Sequence, residues 1–148
     1  MHVSTKGRYA IQLMLALALQ EEQNLSVKAV AESQGISEKY LEQVIPPLVR
    51  SGFIRSVRGA KGGYHLSRPP EDYSVGMILR LMEGSIAPVA CLEGQGSCHA
   101  RCKECVTLEL WAQVDQAISS VVDHVTLADL ADKQRRREAK HRREKETV

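Results

Sequence analysis

Apolar residues recur at helical spacing through the first two thirds of the chain, punctuated by serine caps and glycine stops. Ser4 or Thr5 precedes Tyr9, Ile11, Met14, Leu15, Leu17, Ala18 and Leu19, a run apolar around so much of its circumference that the helix must be buried. After a polar break at 21–24, Ser26 caps a short helix with Val27, Val30 and Ala31 on one face, and Gly35 supplies a left-handed stop. Ser37 opens a third helix, with Ile36 and Leu41 turned inward and Tyr40, Glu42 and Gln43 left outside. Helix, short glycine-containing turn, helix is the pattern of a helix-turn-helix whose third helix is the recognition element. Pro46-Pro47 predicts a kink or a tightened end near Ile45, because proline lacks an amide donor and clashes with the carbonyl four residues back.

Beyond Ser51-Gly52, stretches 53–58 and 64–67 flank Gly59-Ala60-Lys61-Gly62-Gly63 and read as a glycine-rich hairpin, a wing. Pro69-Pro70 closes it, and Ser74 caps a helix with Val75, Ile78, Leu81 and Met82 inward and Gly84 as stop. Residues 87–104 show no periodicity. From Thr107, the residues Trp111, Val114, Ile118, Val121 and Val125 alternate steps of three and four, a seam of about two heptads that pairs two chains. Thr126 caps a last short helix through Leu127 and Leu130. The expected fold is mainly α with a small β wing. A winged helix-turn-helix DNA-binding module spans 1–70, and a cysteine loop with a long C-terminal dimerisation helix spans 71–131. A basic tail at 132–148 reads as a frayed helix or disordered segment, with a phosphate-binding arm as the alternative.

Composition narrows the function classes. With 148 residues, one compact module with appended elements fits, and a large enzyme with a deep cleft does not. A cysteine nucleophile would need a histidine base and an orienting third group. His65, His99 and His124 fall on wing, loop and dimer helix without one, so no enzyme is expected. No run of about 18 apolar residues and no signal-like start occur, so the expected location is cytoplasmic. The net charge of +2 conceals an asymmetry: residues 133–148 carry eight Lys or Arg against three Glu, and the remainder is net acidic. Binding to double-stranded DNA therefore rests on where Lys6, Arg8, Arg55, Arg58 and Lys61 lie. Ser37, Tyr40, Glu42 and Gln43 offer the polar groups a major-groove helix needs, Gln toward adenine and Glu toward the cytosine amino group, and Arg58 can enter a minor groove. The alternative is a winged helix used only for protein contact.

Four cysteines, Cys91, Cys98, Cys102 and Cys105, crowd one loop. In a reducing compartment they read as metal ligands or redox thiols rather than a disulfide framework. Soft thiolates select iron-sulfur clusters, zinc or cuprous ions. Structural zinc favours two tight C-x2-C pairs, and only Cys102 and Cys105 form one, which leans toward a cluster and leaves a thiol switch open.

On these motifs the chain resembles the IscR, NsrR and CymR family of winged-helix regulators. The resemblance runs through Ser4–Ala10, Gly35-Ile36-Ser37, Tyr40-Leu41-Glu42-Gln43, Ser56–Gly59, Gly62-Gly63-Tyr64, the cysteine loop and Thr107–Trp111, about residues 1–131. The IscR type looks most similar. The resemblance implies a homodimeric repressor with a 2Fe-2S cluster on Cys91, Cys98 and Cys105, regulating cluster-assembly genes; 4Fe-4S is an option and zinc a weaker one. Cys102 is an addition to the pattern. Leu108 stands where the IscR pattern places a histidine ligand, and Lys6-Gly7-Arg8 stands where nitric-oxide sensors supply aspartate. The fourth ligand is then expected to be Cys102, His99 or a residue from elsewhere, with Glu42 the main rival. The alternative function is a cluster-free thiol-redox or cysteine-metabolism regulator, with a cluster-assembly or sulfur-metabolism protein as possible partner.

Overall fold

The computed structural model describes residues 2–20, 22–93 and 105–146. Ser4 caps α1 (Thr5–Leu19) by accepting a hydrogen bond from the Gly7 amide at 3.1 Å. The helix buries Ala10, Leu13, Met14, Ala16, Leu17 and Ala18 and packs against most other elements, so it is the central helix its apolar circumference predicts. Ser26 caps α2 (Val27–Gln34), and Gly35 ends it at φ 64°. Ser37 caps α3 (Glu38–Arg50).

The tightened end expected near Ile45 is not there: α3 runs through both prolines to Arg50, burying Leu41, Val44, Ile45 and Leu48. Proline inside a helix costs about 3 kcal/mol, while each large apolar side chain taken from water returns about 1.5–3 kcal/mol. Continuing the buried face offsets the lost amide donors.

The wing pairs β1 (Ile54–Val57) with β2 (Gly63–Leu66), Ile54 opposite Leu66 and Val57 opposite Gly63. Leu25 and Tyr64 exchange backbone hydrogen bonds at 3.0 and 2.8 Å, joining the wing to the loop before α2. Gly63 has φ 143°, and a Cβ there would lie 2.5 Å from the Leu25 carbonyl oxygen, so this join requires glycine. At the wing base, the fully buried Tyr73 hydroxyl donates to the Phe53 carbonyl at 2.7 Å and accepts from the Arg68 amide at 3.0 Å.

Ser74 caps α4 (Val75–Glu83), which ends at Gly84. Ile78 is buried as its spacing predicts, and Leu81 and Met82 pack partly buried against the core. Leu79 is buried and Val75 only half-buried, so the inward face is rotated from the expected one. Glu83 turns back to α1, its Oε1 accepting from the Ser4 amide at 3.1 Å and the Ser4 hydroxyl at 2.7 Å.

Cys105 stands at the N-cap of α5 (Val106–Val122), a helix that buries none of its residues. Thr126 and Asp129 form a reciprocal cap for α6 (Leu127–Glu146), which Leu127 and Ala131 anchor in the core. The helix continues past Leu130 through the charged segment. Lys, Arg, Glu and Ala are strong helix formers, and Asp132–Arg135 at 3.3 Å and Lys140–Glu144 at 3.9 Å add side-chain pairs at helical spacing. Among the described residues no helix is long and apolar enough to cross a membrane.

Candidate nucleic-acid interface and cysteine loop

Two short helices joined by a left-handed glycine, with an adjoining two-stranded hairpin, place the polar residues singled out by spacing. The Ser37 hydroxyl is committed to the α3 cap, accepting from the Tyr40 amide at 3.3 Å, and keeps its own proton to donate. Tyr40, Glu42 and Gln43 are exposed on α3. Tyr40 is 48% exposed, yet its ring meets Tyr9 of α1 edge-on with centroids 5.6 Å apart, an aromatic brace that spacing alone did not reveal. Lys6 and Arg8 are exposed on the first turn of α1. Arg58 and Lys61 are exposed in the wing turn, where the Asn24 side-chain amide donates to the Lys61 carbonyl at 3.1 Å. Polar groups on an exposed helix and cations on a glycine turn give base-edge and phosphate chemistry respectively.

The cysteines are only partly in view. Cys91 lies in a 3-10 turn (Ala90–Leu92) that packs against α5, and Cys105 is the N-cap of that helix. Both are exposed, and neither is in a disulfide. The Thr107 hydroxyl, 3.1 Å from the Cys105 sulfur, is the largest influence holding that thiol below its ordinary range, with backbone amides of the first helical turn adding to it. Thiolate is the form that binds soft metals. Cys98, His99 and Cys102 lie outside the described residues. Glu42 is on α3, Cys91 in the 3-10 turn and Cys105 at the N-cap of α5, and among the described residues no group of three or more His, Cys, Asp or Glu is assembled to hold a metal.

A further pair joins the two halves. Arg80 of α4 forms a two-pronged ion pair with Asp123, the C-cap of α5. The partners are 43 residues apart, so no local spacing could have signalled them.

This architecture is that of the winged helix-turn-helix transcription regulators. The family model Rrf2, described as an iron-dependent transcriptional regulator, matches residues 3–133, and the chain belongs to the Rrf2 family. It is 41% identical over 132 residues to the transcriptional regulator CymR of Bacillus subtilis (strain 168), covering 88% of this chain and 90% of that one. With the regulator IscR of Vibrio campbellii it shares 35% identity over 131 residues, 88% of this chain and 77% of that one. Among solved structures, CymR (YrzC), the global cysteine regulator of B. subtilis, superposes with a TM-score of 0.75 at 38% identity, covering 90% of this chain and 98% of that one. T. potens IscR superposes at 0.72 with 41% identity, covering 90% and 88%. Transcription regulation, DNA binding and the mainly helical winged fold follow from this membership.

Proposed function

We propose that this regulator represses transcription as a homodimer whose grip on operator DNA responds to an iron-sulfur cluster held by Cys91, Cys98 and Cys105, with Cys102 or Glu42 as fourth ligand. It acts by binding, not catalysis. The observation that supports this is a four-cysteine segment whose two described members, Cys91 and Cys105, carry exposed thiols outside any disulfide, with the Cys105 thiol held below its ordinary range. That donor set fits a soft metal centre. A bound cluster would supply an iron centre sensitive to oxidation and loss.

The proposed route from loop to groove-reading helix runs through contacts of the chain's own residues. The Asp123–Arg80 pair at the far end of α5 holds α4, Glu83 of α4 holds the α1 cap at Ser4, and α1 braces the recognition helix through Tyr9 and Tyr40. Ordering of the loop would bias this linked set and so change the placement of the two α3 helices on a palindromic site. Ser37, Tyr40, Glu42 and Gln43 would meet base edges, with Lys6, Arg8, Arg58 and Lys61 on phosphates or in the minor groove.

The second reading is a cluster-free thiol regulator of cysteine metabolism, favoured by the 41% identity to CymR and by Leu108 at the position of the expected histidine ligand. Protein purified without oxygen decides between them through its visible spectrum and its iron and sulfide content. Operator affinity at fixed salt is then compared for loaded, metal-free and Cys91/Cys98/Cys105→Ser protein. Equal affinities remove sensing altogether. A colourless, iron-free protein whose affinity still depends on thiol oxidation establishes the second reading. The spectra of Cys102→Ala and Glu42→Ala identify the fourth ligand, and two unchanged spectra exclude both residues.

A further inference from the structure

Helix α6 carries a cationic surface that the helix-turn-helix and wing do not account for. Its inner side is set by the buried Leu127 and Ala131, then by Gln134, Arg135 and Glu138, which line a groove shared with α1 and α2. At 3.6 residues per turn, Lys133, Arg136, Arg137, Lys140 and Arg143 fall on the opposite side, and all are exposed. Acids on that side stand near its two ends: Asp129 and Asp132 line a cleft with Lys133 and Arg136, and Glu144 lies 3.9 Å from Lys140 and 3.8 Å from His141.

The helix leaves the body beside the wing. Arg135 shares a cleft with Leu19, Gln20, Glu22 and Gln23. Glu22, Gln23 and Asn24 in turn line a cleft with Ala60, Lys61 and Gly62 of the wing turn, to which Asn24 is hydrogen-bonded. Glu22 and Gln23, which line both clefts, thus lie between the root of the basic stripe and the wing turn.

We propose that this stripe is a phosphate-binding arm, engaging the duplex backbone outside the base pairs covered by the recognition helix and wing. The inference rests on the DNA-binding role of the family and not on the cluster. Five cations spaced over about 15 Å of helix approach the charge spacing of one DNA strand, about one phosphate per 3.4 Å. From Asp132 to Glu146 the only apolar residue is Ala139. A protein-binding helix needs apolar or aromatic anchors, and a membrane-surface helix needs an apolar face; this segment has neither. Backbone phosphate is the partner that requires only charge.

The test compares the full-length protein with a Lys133→Gln/Arg136→Gln/Arg137→Gln/Lys140→Gln variant, and with Lys133→Arg/Lys140→Arg as a charge-retaining control. The four neutralised side chains are exposed, and an unchanged melting curve checks that the variant folds. Binding is measured by anisotropy across a salt series to three duplexes. These are an operator selected from a randomised pool and carrying long flanks, the same operator trimmed to its half-sites, and an unrelated duplex of about 40 base pairs. Neutralisation should weaken binding to the two long duplexes by the same factor, at least about tenfold, and lower the salt slope by about 0.9 for each phosphate no longer neutralised, up to about 3.6. The trimmed operator should show little difference, and the charge-retaining control none. An unchanged slope and affinity on the long duplexes overturns the arm, as does a loss confined to the trimmed operator. Comparing variants at equal iron and thiol content keeps this outcome separate from the cluster reading.

Discussion

The Arg80 guanidinium grips the Asp123 carboxylate with both terminal nitrogens, Nη2 to Oδ2 at 3.0 Å, while Nη2 also reaches the Ser119 hydroxyl at 3.4 Å. Gly76 lies against this pair: a Cβ there would fall 1.9 Å from Asp123 Oδ1. With side chains 40% and 37% exposed, the pair contributes no more than about 1 kcal/mol. Its importance is geometric, since it fixes the end of the seam helix α5 to α4 of the DNA-binding body.

The pair and Gly76 should therefore behave as one unit in a double-mutant cycle. Asp123→Asn alone is expected to cost up to about 1 kcal/mol in urea unfolding. Gly76→Ala gains about 1 kcal/mol of helix propensity and displaces the carboxylate, so its net effect on stability is small. In the Gly76→Ala background Asp123→Asn should cost nothing. Strictly additive effects would show that the three groups are independent.

Acid unfolding offers a second measurement. The Arg80 hydrogen bond, ahead of its charge, holds the Asp123 carboxyl below its ordinary range, and the Thr126 backbone amide, then its hydroxyl, does the same for Asp129. A carboxyl depressed by folding stabilises the native state above its unfolded pKa, about 3.9, and that contribution fades as pH falls through the folded value. Asp123→Asn should lower the melting temperature near neutrality, with the gap to wild type closing below about pH 4. A gap that stays constant from neutral to strongly acid pH sinks the linkage.

Tyr73 tests the wing base. Its hydroxyl is fully buried and serves Phe53 and Arg68 at once, while the Phe53 carbonyl has a second donor in the Ser67 amide at 3.1 Å. Tyr73→Phe strands only the Arg68 amide, so a loss of about 1–3 kcal/mol is expected, with faster amide exchange at Arg68 than at Ser67. Equal acceleration at both amides would contradict this assignment of donors.

What the sequence made legible was local. Ser4, Ser26, Ser37 and Ser74 each cap an amide three residues on, and Gly35 and Gly84 stop helices, so the chemistry of each boundary is contained in a few neighbouring letters. The exposed positions of Tyr40, Glu42 and Gln43 follow from helical period in the same way. Pro46-Pro47 does not end the helix, because burial of Ile45 and Leu48 is a tertiary effect that local propensity cannot weigh. For the charged tail, composition alone does not separate a solvated coil from a solvated helix, so it leaves both readings open. The Arg80–Asp123 pair and the Tyr9–Tyr40 contact join separate helices and have no signature along the chain.

The seam on α5 supplies the last prediction. That helix buries none of its residues, and it leaves Trp111 37% and Val121 61% exposed, an apolar face with no covering element among the described residues. Such a face at heptad spacing is expected to be covered by a second copy. Ile118→Asp/Val121→Glu should convert the protein to a monomer in sedimentation while leaving the melting of the winged-helix body almost unchanged, because neither side chain belongs to its core. Without bivalent attachment, binding to a palindromic operator should weaken by about 100-fold or more, and binding to a single half-site far less. A variant that remains dimeric, or one that loses both duplexes equally, would place the pairing surface elsewhere.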